Sequence, residues 1–199
     1  MFGTEKFVEV ESKLLKKSPY TQYPNRRIIS LIVKGLEDMR QDMFVYQIMQ
    51  FFTTFFEKDN INIHLEPISI ISNGRGGIIQ TLVNTNSLDR IKKLNPYIEN
   101  LKHYFTIKYG GYKSKAYKNA VINFIESLAG FSLICYILQI KDRHNGNILI
   151  DDEGRLIHID FGFLLNHSPG NMNFEKAPFK LTGYISLFIK RVRRFDGRR

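Results

Sequence analysis

The sequence predicts an α+β fold in two lobes, a small mixed β/α lobe followed by a mostly helical one. Three observations carry this. Strand-like runs rich in Ile and Val, such as Ile28 to Val33, cluster before residue 84. From Ser87 onward the apolar residues recur mainly at helical spacing. A last pair of short β runs, Ile148–Asp151 and Arg155–Ile159, flanks the turn signal Asp152-Glu153-Gly154. The 199 residues suffice for a sizeable core, and 43% hydrophobic with 24% charged residues excludes a disordered or fibrous chain.

Glu5 to Lys17 reads as an amphipathic helix stopped by Ser18-Pro19. Arg27 to Lys34 is a strand. Glu37 and Asp38 supply an acidic first turn to a long helix reaching about Glu57, with Phe, Met and Tyr on more than one side. Ile68–Ser72 and Ile78–Val83 are strands joined by Asn73-Gly74-Arg75-Gly76-Gly77. Ser87-Leu88-Asp89 starts a short helix, and Pro96 suits the first position of another that ends at Gly110-Gly111. Ser114 caps a long apolar helix, and a polar loop, Lys141 to Asn147, follows it directly. With no internal repeat or Gly/Ser linker, two lobes meeting near residue 84 is the simplest organisation.

The net charge is +10, from 29 Lys+Arg against 19 Asp+Glu. Such a charge fits nucleic acid, an anionic membrane or a phosphorylated substrate. Half of it lies in the last ten residues, which hold six Lys/Arg and one Asp. One Cys makes no internal disulfide, so a reducing compartment fits. The run Leu128–Ile140 is too short and too interrupted to span a bilayer, and the N-terminus lacks signal-peptide shape.

The hairpin carries the chemistry. A two-residue loop, Glu153-Gly154, puts Asn147 opposite Asp160, with a shift of a residue or two for other loop lengths. An amide oxygen and a carboxylate there are hard ligands suited to Mg²⁺ with substrate phosphates. Asp142, five residues before Asn147, can orient or deprotonate an attacking hydroxyl. Asp, then Asn, then Asp-Phe-Gly after a hairpin is the layout of a phosphoryl-transfer site. Any one of these residues alone reads more simply as a solvated loop or a turn cap. All of them in order do not.

These motifs resemble the phosphatidylinositol 3-/4-kinase family. Asp142-Arg143-His144-Asn145-Gly146-Asn147 is similar to its catalytic loop, and Asp160-Phe161-Gly162 to its metal-binding triplet. The string from Ser127-Leu128-Ala129-Gly130 through Cys135-Tyr136-Ile137-Leu138 resembles the type III 4-kinases. Ser168-Pro169-Gly170-Asn171, Asn173-Phe174-Glu175 and Phe179-Lys180-Leu181-Thr182 resemble their beta form best. Upstream, Ser18-Pro19-Tyr20 and Pro24-Asn25 look like the phosphate-covering loop. Leu31-Ile32-Val33-Lys34 and Asp38-Met39-Arg40-Gln41-Asp42 look like the lysine strand and its helix. The likeness covers about residues 5 to 182.

The resemblance implies a bilobal protein-kinase-like fold: residues 1–84 as the N-lobe, 85–182 as the C-lobe core, and 183–199 as a divergent basic tail where the family continues with further helices. It also implies a C-terminally truncated catalytic domain. By resemblance, Lys34 meets the ATP phosphates, Asp42 lines the inner pocket and steadies Lys34, and Ser18 donates to a phosphate oxygen. Gln80 to Leu82 form the hinge to adenine, Asn147 and Asp160 hold Mg²⁺ (Mn²⁺ as a substitute), and Asp142, Arg143 and His144 form the catalytic loop. Which of Asp142 and His144 takes the proton stays open. The implied acceptor is phosphatidylinositol in a cytoplasmic leaflet, at the 4-hydroxyl, with peripheral attachment to Golgi-type membranes and no nucleic-acid partner. From Phe163 to Phe174 there is His167 but no Lys or Arg to read a phosphorylated ring, although Lys176 and Lys180 lie close by. Two departures are local: the Gly after the lysine is shifted, and Gln80 stands where the family has Glu. An inactive kinase fold that binds nucleotide or a partner, and a protein kinase of the related phosphatidylinositol-kinase-like family, remain alternatives.

Several motifs read as decoys. Gly74-Arg75-Gly76-Gly77 lacks the Gly-Lys-Ser/Thr ending of a phosphate loop and reads as a hairpin turn. Cys135 belongs to a core, and His64, His103 and His158 have no metal-ligand spacing. The aromatic residues of Phe44–Phe56 read as packing.

Overall fold

Strand β1 (Leu31–Gly35) pairs antiparallel with β3 (Gly76–Gln80), which pairs with β2 (Ile70–Ser72), giving a three-stranded sheet of order β1-β3-β2. This is a computed structural model, and it describes residues 6–165 and 181–193. Helix α1 (Phe7–Lys17) precedes the sheet, and α2 (Arg40–Lys58) follows β1. The bare backbone at residues 76 and 77 lets three elements close on one another. A Cβ at Gly76 would stand 2.6 Å from the Lys34 carbonyl, and one at Gly77 would stand 2.9 Å from Met39 Sδ. The Gly-rich string is therefore a packing device in a β hairpin, as the sequence indicates.

β1 starts at Leu31, four residues later than expected, and α2 starts at Arg40. Glu37 and Asp38 fall just before the helix. There Asp38 Oδ1 accepts from the Arg40 N–H at 3.0 Å, and the Arg40 guanidinium holds the Asp38 carboxyl down at about 2. α2 buries Val45, Tyr46, Met49 and Phe56, so one side of its aromatic run is core; Phe44, Phe51 and Phe55 are exposed.

A second sheet of order β4-β5-β6 is built from β4 (Asn86–Ser87), β5 (Ile148–Ile150) and β6 (Leu156–His158). Around it lie α3 (Leu88–Leu94), α4 (Leu101–Lys108), α5 (Lys115–Ile137) and α6 (Gly183–Arg193). Ser87 Oγ and Ser114 Oγ each accept an N–H three residues on, so both expected caps form. Pro96 does not open α4. Asn95 caps α3 and accepts from the Ile98 N–H, and Asn100 supplies the cap from which α4 starts.

α5 is the one described helix long and apolar enough to cross a membrane. In this fold it is the core: Phe124, Phe131 and Ile134 are fully buried along it. It also carries the β5–β6 hairpin, because Ser127 Oγ accepts from the Leu156 N–H at 2.8 Å and Asn123 Nδ2 donates to the Glu153 carbonyl.

Two expectations change here. The hairpin loop is Asp152-Glu153-Gly154, three residues, with Gly154 at φ +88°. The register moves by one, so Asn147 lies opposite Ile159. Residues 183–193, expected as the start of a basic tail, form α6, whose Phe188 ring sits 4.9 Å from both Phe105 and Phe124. The expected activation-loop features at His167, Ser168–Asn171, Asn173–Glu175, Lys176 and Phe179–Lys180 lie outside the described residues, as does the basic end 194–199.

Candidate active site

The polar loop after α5 and the segment after β6 run side by side. Lys141 N–H donates to the Phe163 carbonyl, Ile159 N–H to the Asn147 carbonyl at 3.0 Å, and Leu165 N–H to the Leu138 carbonyl. Asn147 and Asp160 are thus brought to one end of the hairpin, one residue out of direct opposition. Asp142 and Asp160 both sit at positive φ, 59° and 62°. Left-handed backbone at a non-glycine residue is held only where surrounding contacts dictate it.

Arg143 supplies those contacts. Its guanidinium is buried, and its Nε donates to the Lys141 carbonyl at 3.1 Å, Nη1 to that of Ile159 at 2.8 Å, and Nη2 to that of Asp160. It also stands 5.4 Å from the Phe161 ring centroid. Arg143 therefore acts on the backbone around Asp160 and leaves the carboxylate alone. Burial lowers its pKa, with nearby Asp160 and Asp142 opposing that; a guanidinium stays charged regardless.

His144 is exposed. Its Nδ1 accepts from the Gly146 N–H at 3.0 Å, so in the neutral ring the proton is on Nε2, 4.0 Å from Asp142 Oδ2. A side chain at Gly146 would strike the His144 ring at 2.9 Å. Asn147 Nδ2 donates to the Asp142 carbonyl at 3.3 Å, which turns Oδ1 away from that bond. Asn147 Oδ1 and the Asp160 carboxylate are both hard oxygen donors, a set that fits Mg²⁺ or Mn²⁺. Among the described residues no side chain pairs with the Asp160 carboxylate.

Lys34 is brought to this group, with a different partner from the expected one. Its Nζ pairs with Glu37 Oε1 at 2.8 Å, and Glu37 is the largest reason its pKa is raised, with Asp160 and Asp42 adding attraction. Asp42 does not bond Lys34; its Oδ1 accepts from the Phe161 N–H at 2.8 Å. Burial raises the Asp42 pKa, partly offset by that bond.

Ser18 sits at the C-terminus of α1, where its Oγ accepts from the Tyr20 N–H, and no described contact joins it to Lys34 or Asp160. Gln80 is taken into β3: its N–H donates to the Ser69 carbonyl, and the Thr81 N–H donates to that of Ser30. Leu82 follows outside the sheet, its carbonyl accepting from Thr85 Oγ1. The described cavity of about 310 Å³ lies elsewhere, between α5 and α6, lined by Ile125, Leu128, Ala129 and Leu181. It has no charged lining and no part in this chemistry.

Gln41 and Tyr46, given no role in the sequence, are built into the site, and His158 behind them is a buried structural histidine without a ligand role. Gln41 Nε2 donates to the Phe161 carbonyl at 2.8 Å. Tyr46 Oη donates to the His158 carbonyl, and its ring stands edge-on to Phe161 at 5.2 Å. His158 stacks on Phe131 at 4.8 Å. The Gln41-Asp42 pair was visible inside a motif; bonds spanning 120 residues were not.

A mixed fold with a catalytic-type loop, a following Asp-Phe-Gly and a strand lysine gathered at one place defines a kinase-like catalytic domain. The model of the phosphatidylinositol 3- and 4-kinase family matches residues 28–196, and the chain belongs to that family. The match runs through α6, beyond Thr182 where the likeness was expected to fade. The chain is similar to a phosphatidylinositol 4-kinase of Dictyostelium discoideum, 47% identical over 182 residues, covering 91% of this chain and 15% of that protein. It is also similar to phosphatidylinositol 4-kinase beta of Sorex araneus and of Mus musculus, each 40% identical over 179 residues, 89% of this chain and 22% of theirs. The chain thus spans less than a quarter of the length of these relatives.

Proposed function

We propose that the chain is the catalytic part of a lipid kinase that transfers the γ-phosphate of ATP to the 4-hydroxyl of phosphatidylinositol, giving phosphatidylinositol 4-phosphate. The observation that carries this is the meeting of Asn147, Asp160 and Asp142 at one end of the β5–β6 hairpin, with Lys34 in electrostatic reach. The named activity of the relatives supports the choice of acceptor. In this reading residues 1–84 cover the nucleotide and residues 85–182 form the lobe beneath it, with α6 as part of that lobe.

Asn147 Oδ1 and Asp160 would hold Mg²⁺, with Mn²⁺ as a substitute. Bound there, the cation neutralises charge on the ATP phosphates. Lys34 exchanges Glu37 for a phosphate oxygen, and Leu82 is the hinge residue left to meet adenine. Asp142 accepts the proton of the inositol hydroxyl, because the His144 Nδ1 lone pair is already occupied by the Gly146 N–H. The His144 Nε2–H is then a donor to charge developing on the transferred group. Arg143 serves by fixing the backbone. The enzyme works at a cytoplasmic leaflet, of Golgi-type membranes by likeness to the beta form, and the basic C-terminal residues favour an anionic surface.

The test is an acceptor panel: purified protein with labelled ATP, Mg²⁺ and either phosphatidylinositol vesicles or protein substrates. Label in the lipid is the expected result. Label in protein alone, or none from a folded sample, overturns the reading.

A further inference from the structure

Phe161 is gripped by α2 through both of its backbone polar groups. Asp42 Oδ1 accepts from its N–H and Gln41 Nε2 donates to its carbonyl, each at 2.8 Å. One acceptor and one donor on consecutive residues match the two peptides that meet at the Phe161 Cα: Asp42 holds the Asp160–Phe161 unit by its N–H, and Gln41 holds the Phe161–Gly162 unit by its carbonyl. Sliding the segment by a residue would spoil that match, and flipping either peptide would turn its bonded group away from α2. The Phe161 ring is fully buried against Tyr46, and the two preceding carbonyls are taken by Arg143. Everything around Asp160 is thus fixed, while among the described residues its carboxylate makes no bond of its own. The aim of that carboxylate is set by the backbone at φ 62°, which α2 and Arg143 hold from two sides.

We propose that Gln41 is a positioning residue: through the Phe161 carbonyl it aims the Asp160 carboxylate at the metal-bound nucleotide. This rests on the kinase reading above and deepens it, because it makes α2 a reader of the metal ligand as well as a neighbour of Lys34. Loss of the Gln41 bond frees the Phe161–Gly162 peptide, so the backbone that follows Asp160 is held on one side of the Phe161 Cα only, by Asp42 and Arg143, and the carboxylate is aimed less sharply.

The experiment measures Mn²⁺ binding by electron paramagnetic resonance, with a non-hydrolysable ATP analogue present, for wild type, Gln41→Leu and Gln41→Glu. Analogue affinity without metal and the melting temperature are measured alongside. Removing one hydrogen bond of this kind should weaken Mn²⁺ by about tenfold, with metal-free analogue affinity unchanged and the melting temperature lowered by only about 2–4 °C. Gln41→Glu keeps the side-chain length but cannot donate when ionised, and it shows the same loss; it carries the test should Gln41→Leu fail to fold. Unchanged Mn²⁺ binding in a folded variant overturns the proposal, and so does equal weakening with and without metal. A wild-type protein that binds neither Mn²⁺ nor the analogue overturns the kinase reading together with this one.

Discussion

Replacing Arg143 by Met removes three donors from three carbonyls while keeping an apolar stem against Phe161. Arg143 is 3% exposed, and its guanidinium serves the carbonyls of Lys141, Ile159 and Asp160. Hydrogen bonds to a charged donor contribute about 1.5–3 kcal/mol each, so about 4.5–9 kcal/mol is lost in gross. Returning a buried cation to solvent recovers several kcal/mol of desolvation cost. The net loss is about 3 kcal/mol, which for a domain of this size lowers the melting temperature by about 6–12 °C. Arg143→Lys, with a single ammonium, reaches only part of the set and falls between the two. Thermal unfolding followed by circular dichroism measures both. A Met variant melting within about 2 °C of wild type would mean that the carbonyls find water as readily as the guanidinium, and the backbone-fixing role would be wrong.

Other outcomes follow from the same geometry. Glu37→Gln frees Lys34 from an exposed pair of about 0.2–1 kcal/mol, so ATP binds up to about fivefold more tightly by calorimetry; weaker binding would show that Glu37 orients Lys34 for the phosphates. Burial pushes the Cys135 thiol up to about 12, leaving about one thiolate in ten thousand at pH 8. Native protein should therefore resist a thiol reagent that labels it in denaturant, and rapid native labelling would contradict the burial. His158 is held neutral by burial, its pKa lowered from 6.5 to about 3. The unfolded chain binds the extra proton first, so stability is present above pH 6.5 and is lost as pH falls. Urea unfolding at pH 5.5 should show about 1.4 kcal/mol less of this contribution than at pH 7.5, absent in His158→Phe. No difference between the two proteins would contradict it.

What was readable in the sequence was local. Ser87 and Ser114 cap their helices because a hydroxyl three residues before an N–H is a short-range signal. The catalytic-type loop and the Asp-Phe-Gly were legible because spacing and residue type had to coincide. The hairpin register was off by one because Gly154 admits a left-handed third loop residue as easily as a two-residue turn. α6 was hidden behind its charge: Ile185 and Phe188 carry the helical spacing, but the basic residues beside them read as a solvated tail. The partner of Lys34 was misplaced because Glu37 is three residues away on an exposed turn, closer in space than the helix side chain that the motif favours. Arg143 was legible in its motif but its action on main-chain carbonyls was not, and Gln41 and Tyr46 act through carbonyls far along the chain, which no residue pattern announces.

The most direct measurement is regiochemical. Purified protein is given labelled ATP, Mg²⁺ and phosphatidylinositol vesicles, and the deacylated lipid product is resolved by chromatography against the inositol monophosphate isomers. Label at the 4-position is expected for wild type and none for a folded Asp160→Ala protein. Label at another ring position, or label that survives Asp160→Ala, would contradict it.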